Sequence, residues 1–352
     1  MSYSVDFPRI VCPSCGRPVA QRADEGCACE FCPSAIQMVD GIPVFGVRSS
    51  QIAEVRSGII ASHRFNAEVP AGSHLDYTAY TVKTYRTLRD IIEASFSGPR
   101  QQRLSVLDVG GGRGELAFLL GETFDTAMID VDLFSAKAAQ ALQLGASRFR
   151  VLCGDCSDLP IESRSVDVLI SKDTAHHMAD PGLFFREMAR VVRRGGIIVV
   201  TEPIQGLLVN RKKSLAADRM RQLGATHHHF YLKEITGPLG RMFADVRIVD
   251  AEPNPVAHVF ARFGLSRLGK FIDRIVAHLP LLLRTGILNL RGGNGLVVCR
   301  LPVVDESQQD HAKAYDGSLA EYPIDLVAVE PIPEITIQNI QKVLRTAQRV
   351  NG

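Results

Sequence analysis

Two features of the chain predict an α/β fold with a doubly wound, mostly parallel sheet, and a third predicts a small cysteine-bearing module ahead of it. The first is a series of short apolar runs rich in β-branched residues, at 104–109, 126–131, 149–152, 166–171 and 197–201, separated by polar turns and helix-period segments. Strands that alternate with helices in this way are joined by parallel crossovers. The second is the glycine turn Gly110-Gly111-Gly112-Arg113-Gly114, between the first run and the helix-period residues Leu116, Ala117, Leu119 and Leu120. Such a turn lets a ligand approach the backbone where a side chain would block it. The third is the placement of five of the eight cysteines between Cys12 and Cys32.

Cys12-Pro-Ser-Cys15 and Cys29-Glu-Phe-Cys32 are two Cys-x-x-Cys pairs separated by 13 residues. Two thiolates at that spacing can bite one tetrahedral ion, and the second pair completes a four-thiolate set, so the expectation is Zn2+. Four thiolates leave no open position, which makes the expected zinc structural rather than catalytic. Cys27 is a spare that could replace Cys29 as ligand. A redox pair or unmetallated thiols are the competing use, and disulfides suit a chain with no apolar signal segment poorly. A module spanning 1–47 has too little apolar core to fold alone, so metal would supply much of its folding energy. Residues 48–73 are mixed and polar and read as a linker. Residues 74–95 read as a helix, with Tyr77, Tyr80, Tyr85, Leu88, Ile91 and Ile92 on or near one face.

The glycine turn itself distinguishes two cofactor classes. A dinucleotide fingerprint needs glycine at the first, third and sixth positions, and counting from Gly110 the sixth is Glu115. Gly110-x-Gly112-x-Gly114 is instead preceded by Asp108, a carboxylate that suits a cationic amine or sulfonium and repels a pyrophosphate. Asp130 ends the second run 20 residues past Gly110, where an acid can take ribose hydroxyls. The third run is followed by Gly154-Asp155-Cys156, the fourth by Lys172-Asp173-Thr174-Ala175-His176-His177, and the fifth by Glu202-Pro203.

These motifs, in this order over 106–203, resemble the class I S-adenosylmethionine-dependent methyltransferases of the ubiquinone and menaquinone type. The resemblance implies a Rossmann-like domain over 74–302. It implies that Gly110 and Gly112 pack under the methionine and ribose, with Asp108 facing the amino-acid end. Asp130 would bind the ribose, Asp155 the adenine amino group, and the Cys156 backbone the ring edge. Ser171 and Lys172 would end at the methyl-transfer centre, although a lysine departs from the small or polar residue expected there. Tyr77 or Tyr80 would touch the methionine carboxylate. His176 and His177 are candidate catalytic residues, because a hydroxyl acceptor needs a base and histidine titrates near neutrality. The Asn-Pro-Pro-aromatic motif of amino-methylating DNA enzymes is absent, with Ser171-Lys172-Asp173-Thr174 in its place. The end of the cysteine module, Val39-Asp40-Gly41-Ile42-Pro43-Val44-Phe45, resembles the zinc ribbons of tRNA-methyltransferase activator subunits.

Beyond 203 the resemblance fades. By analogy with the family it resembles, residues 245–249 and 295–301 would be the antiparallel closing pair of strands, which makes the expected sheet seven-stranded. The intervening 204–292 would hold a lid or insert, including Arg211-Lys212-Lys213 and the polar turn His227-His228-His229. Segment 255–291 is basic and amphipathic. It is expected either to pack on the core, to roof an apolar acceptor or to lie on a membrane surface, with Phe260, Phe263, Phe271 and Leu281–Leu283 partly exposed in the last two cases. Residues 303–352 form a C-terminal extension with a helix-period stretch at 335–350.

A net charge of only +2 gives no global field for nucleic acid, and Arg9, Arg17 and Arg22 in the module are offset by Asp24, Glu25 and Glu30. The expectation is therefore an enzyme acting on a small-molecule or lipid-like methyl acceptor, cytoplasmic or membrane-associated. The competing readings are an RNA methyltransferase that uses the ribbon to hold RNA, and a non-catalytic scaffold, which would have no use for Asp108, Asp130 and Asp155. Acceptor identity and oligomeric state have no signature in the chain.

Overall fold

The computed structural model describes residues 7–22, 26–32, 36–48, 52–68, 71–96, 102–143, 149–208, 219, 221–222, 224–256, 260, 263–302, 319–320 and 334–351. The first part of the chain contributes short strands β1 (Ala20–Arg22), β2 (Gly26–Ala28), β3 (Ile36–Val39), β4 (Ile42–Phe45) and β5 (Val47–Arg48). Helices α1 (Ile52–Glu68) and α2 (Ala71–Ser95) follow. The polar stretch expected as a linker over 48–73 is therefore mostly helical. Its apolar side chains Ile59 and Ala61 are buried, and that packing outweighs the polar composition.

The alternating region then runs β6 (Ser105–Val109), α3 (Glu115–Leu120), β7 (Asp125–Asp130), α4 (Leu133–Leu142), β8 (Arg150–Cys153), β9 (Val166–Lys172), α5 (Pro181–Val191) and β10 (Val192–Ile204). Asp132 caps α4 by accepting from the Phe134 N–H, and Asp180 caps α5 by accepting from the Leu183 N–H. Next come α6 (Leu232–Met242), β11 (Phe243–Pro253), α7 (Ser266–His278), α8 (Leu281–Arg291), β12 (Gly293–Pro302), β13 (Leu319–Ala320) and α9 (Glu334–Asn351).

The main sheet has nine strands in the order β11-β12-β10-β9-β6-β7-β8-β4-β3. Five central strands, β6 to β10, are mutually parallel, and β11 and β12 close one side antiparallel, as the sequence predicts. The seven-stranded expectation falls short by two. β4 pairs parallel with β8 through Val44 and Cys153, and β3 pairs antiparallel with β4. An otherwise open edge of the sheet is thus covered by the cysteine-bearing segment, which supplies partners for the donors and acceptors of β8. Ile10 bridges Ile161 and the Val11 N–H donates to Pro160 O at 3.0 Å, which fixes the module against the same edge.

Apolar layers cover both faces. One holds Phe184, Phe185, Met188, Leu239 and Leu288 from α5, α6 and α8. The other holds Leu88 and Ile92 of α2, the buried side of α3 and α4, and Ile340 and Leu344 of α9. The chain leaves β6 toward β7 on one side and returns to β9 on the other. That reversal opens a crevice above the carboxyl ends of these strands, which is where ligands bind in such sheets.

Candidate active site at the carboxyl ends of the central strands

The crevice is floored by the glycine turn after β6. Gly110, Gly112 and Gly114 have φ of 72°, 55° and 77°, left-handed values that a side chain resists. The glycines serve different ends. A Cβ on Gly110 would lie 2.2 Å from Thr174 Cγ2, so this position is glycine because the loop after β9 packs on it. At Gly112 nothing lies within 4 Å of an added Cβ, so the backbone there faces open space. The Gly112 N–H donates to Asp130 Oδ2 at 2.8 Å and the Asp132 N–H to Asp130 Oδ1 at 2.8 Å. Asp130 thus clamps the turn as well as standing at its rim. Burial, then the neighbouring Asp132 carboxylate, push its pKa up to about 6.

Asp108 is 1% exposed and its Oδ2 has no partner among the described residues. Burial raises its pKa to about 7, against the opposing pull of the Lys172 ammonium. Ser171 Oγ, at the end of the adjoining β9, is equally buried and equally without a partner among the described residues. Asp155 is buried after β8, with Oδ1 accepting from the Ser157 N–H at 2.7 Å. Burial pushes the Cys156 thiol well above its usual range, so the side chain is an inert small residue. Asp108, Gly110, Gly112, Asp130, Asp155, Cys156 and Ser171 therefore gather at one end of four neighbouring strands. The side chain of Tyr77 lies outside the described residues, as do Cys27's side chain and the Arg211-Lys212-Lys213 run.

Tyr80 is described, and the Lys172 Nζ sits 4.6 Å from its ring centroid. Lys172 is 6% exposed and also pairs with Asp173 Oδ2 at 2.8 Å. Burial, then Asp173, raise the Tyr80 pKa to about 12, so the phenol stays protonated. The residue type at 172 that departs from the family pattern is thus accommodated by an aromatic face on α2 and its own neighbour.

Beyond Thr174 the two candidate histidines part company. Glu202, fully buried at the end of β10, accepts from the Thr174 and Ala175 N–H groups at 2.9 and 2.6 Å. Its second oxygen lies 2.6 Å from His176 Nδ1, so Nδ1 carries the proton and the ring is held in one orientation. His177 is exposed and faces the polar turn, with Nδ1 3.3 Å from Thr226 O. Its ring lies 4.0 Å from that of His176 and 5.3 Å from that of His227. Desolvation, then these two imidazoles, lower its pKa below the ordinary histidine value. The sequence reading assigns no role to Glu202 or Thr174, and it names Lys172 and Tyr80 without the contact between them. Glu202 stands at a strand end in the sequence, but only the fold shows it capping the 175–177 turn.

The donor set fits S-adenosylmethionine. The Asp108 Oδ2, without a partner among the described residues, would be satisfied by an ammonium, whereas an anionic group would be repelled. Gly112 presents open backbone beside Asp130, whose outward lone pairs suit vicinal hydroxyls.

In the N-terminal module, four thiols converge. The Sγ–Sγ separations are 3.5 Å for Cys12–Cys32, 3.5 Å for Cys15–Cys29 and 3.7 Å for Cys32–Cys29, and all four lie within 4.8 Å of one another. Tetrahedral Zn2+ with Zn–S of about 2.3 Å places its sulfurs about 3.8 Å apart, so the donor set fits that ion, whereas a disulfide needs about 2.05 Å.

Comparison with known proteins agrees with this geometry. Residues 107–200 match the methyltransferase domain family. A malonyl-[acyl-carrier protein] O-methyltransferase from Geobacter sulfurreducens is 30% identical over 206 residues, covering 55% of this chain and 76% of that one. An uncharacterized methyltransferase from Mycobacterium sp. (strain JLS) is 30% identical over 159 residues, 45% of this chain and 60% of that protein, so the chain spans little over half the length of this relative. A sarcosine/dimethylglycine N-methyltransferase from Aphanothece halophytica is 32% identical over 105 residues, 28% of this chain and 38% of the other. With the strand-end acids, the glycine turn and these matches taken together, the chain belongs to the class I S-adenosylmethionine-dependent methyltransferases.

Proposed function

We propose that the protein moves a methyl group from S-adenosylmethionine to an oxygen or carbon of a small-molecule or lipid-like metabolite, with a structural zinc in its N-terminal module. The single observation that carries the cofactor placement is the buried Asp108 carboxylate, whose Oδ2 has no partner among the described residues, beside Gly112 and Asp130. Bound there, the cofactor supplies a methyl group on a sulfonium, which is already an activated leaving group. Rate then depends chiefly on alignment, which the rigid strand ends give.

Each residue has a stated part in this reading. Asp108 holds the ammonium and Asp130 the ribose hydroxyls, while Asp155 and the Cys156 backbone face the base. Ser171, Lys172 and Tyr80 stand where the acceptor and the methionine end would meet. A hydroxyl acceptor must lose a proton. His177 is the candidate to take it, with His176 as its fixed neighbour; a pKa lowered to about 3 keeps the ring neutral but makes it a weak proton acceptor. The relatives named above act, by their names, on a malonyl group carried by acyl-carrier protein and on methylated glycines, which supports a small metabolite-type acceptor group over a nucleic-acid base.

The zinc reading is supported by sulfur spacing. Strands β3 and β4 of the module extend the main sheet, so the metal would brace its covered edge.

The test is an acceptor screen with methyl-labelled cofactor against fractionated small-molecule and lipid extracts, with Asp108→Asn as control. Label in a low-mass or lipid fraction that the variant does not produce is the expected result. Label only in RNA or protein, or none despite tight cofactor binding, would refute the reading.

A further inference from the structure

Twelve large hydrophobic side chains are exposed among the described residues, and ten of them belong to one region. Phe263, Leu265, Leu268, Phe271 and Ile275 come from α7 and the turn before it, and Leu282, Leu283 and Leu290 from α8. Leu207 and Leu208 join them, because their N–H groups donate to Asn289 O and Leu290 O at 2.9 Å. Exposures reach 74% at Phe263, 60% at Phe271 and 83% at Leu282. Phe260 and Leu281 are half-buried, so the expectation of a partly exposed set holds against packing on the core. An apolar area of this extent on one face marks a docking surface.

The geometry of α7 says what docks. Leu268, Phe271 and Ile275 repeat at intervals of three and four and form one stripe. Arg267, Lys270 and Arg274, all exposed, repeat at the same intervals one position earlier, about 100° around the helix. The side turned to the protein carries buried Gly269 and half-buried Ile272 and Val276. On α8, Leu283, Gly286 and Leu290 continue the exposed stripe. Asp273 is the one acid on the two helices, and its Oδ1 already accepts from the Val256 N–H at 2.7 Å. An apolar stripe bordered by cations is the layout of a helix lying in the interface of an anionic bilayer. A two-fold pairing of two copies through this face would bring the same arginines and lysine together, which opposes self-association. Neither helix is long and apolar enough to cross a membrane.

We infer that α7 and α8 form an interfacial surface that docks the protein on an anionic lipid surface. This surface is tied to the site: Arg284 of α8 holds Asp250 at 2.7 Å, and Asp250 lines a cleft with Tyr80, Thr84, Thr201 and Leu296. Docking would bring that cleft to the membrane. Lipid binding needs no cofactor, so the inference stands or falls apart from the methyl-transfer reading.

Co-sedimentation of the full chain with vesicles tests it, using phosphatidylcholine alone and phosphatidylcholine with phosphatidylglycerol. The expected result is binding to the mixed vesicles, weakened by salt, with little binding to the neutral ones. Leu282→Asp should lower the bound fraction at least fivefold with an unchanged melting temperature, because this side chain is already in solvent. Lys270→Glu combined with Arg274→Glu should abolish the preference for anionic vesicles. Failure to bind either vesicle would overturn the inference, as would a Leu282→Asp variant that binds like wild type. A dimer in light scattering that Leu282→Asp dissociates, with no vesicle binding, would assign the face to a second copy and overturn it equally.

Discussion

Replacing Asp108 by asparagine separates the two things this carboxylate does, which are to strain the ligand-free fold and to hold a cation. Burial raises its pKa from 3.8 to about 7. The sign follows from linkage. The neutral form is favoured in the fold, so the associated stability is complete below pH 4, falls as pH rises toward 7, and is gone above it. At about 1.4 kcal/mol per tenfold change, the ionised carboxylate destabilises the ligand-free protein at pH 8 by at most about 4 kcal/mol, less if water reaches the crevice. Asparagine keeps the shape and never ionises. The variant without cofactor should therefore melt higher than wild type at pH 8 and alike at pH 4. Cofactor should stabilise wild type more than the variant, by up to about 1.5–3 kcal/mol, the worth of a hydrogen bond to a charged partner. In wild type the affinity should rise with pH through about 7, and in the variant that rise should be lost, leaving only the change through about 6 that belongs to Asp130. Thermal melts from pH 4 to 9 with and without S-adenosylmethionine read all of this. A variant less stable than wild type at pH 8, or equally stabilised by the cofactor, would refute the reasoning.

Cys15→Ser should remove stoichiometric zinc and loosen the edge of the sheet, read by metal analysis and by faster amide exchange in β3 and β4; full zinc occupancy in the variant would count against the four-cysteine site. Asp130→Ala loses the anchor of the Gly112 N–H as well as the ribose contact, and should weaken cofactor binding by about 1.5–3 kcal/mol, measured by calorimetry. Glu202→Gln leaves one of the Thr174, Ala175 and His176 donors badly matched, and should lower stability by about 2–3 kcal/mol in urea melts; an unchanged midpoint would mean the cap is not structural.

Much of the central sheet is readable from the chain because its strands are buried on both faces and so appear as unbroken apolar runs. Strand β12 is legible for the same reason at Val297–Val298, whereas the edge strand β11 is mostly half-buried or exposed. What the pattern does not carry is pairing between distant short segments. β4 spans only Ile42–Phe45, and nothing local says that Val44 will meet Cys153 across more than a hundred residues. Helix α1 escaped because its hydrophobic residues are sparse and its helicity depends on packing. At the site, the acids and glycines were visible by type and spacing, but their division of labour was not. Gly110 answers to Thr174 rather than to a ligand, and Glu202 answers to three backbone and imidazole donors. Both are long-range contacts between loops, which sequence spacing does not encode.

Calorimetric titration of S-adenosylmethionine into the wild-type chain at pH 8 tests the central claim most directly. One cofactor should bind per chain, and Asp108→Asn and Asp130→Ala should each weaken it by about 10–100-fold, the equivalent of one lost charged hydrogen bond. A folded protein that takes up no cofactor, or variants that bind it as tightly as wild type, would contradict the placement of the site.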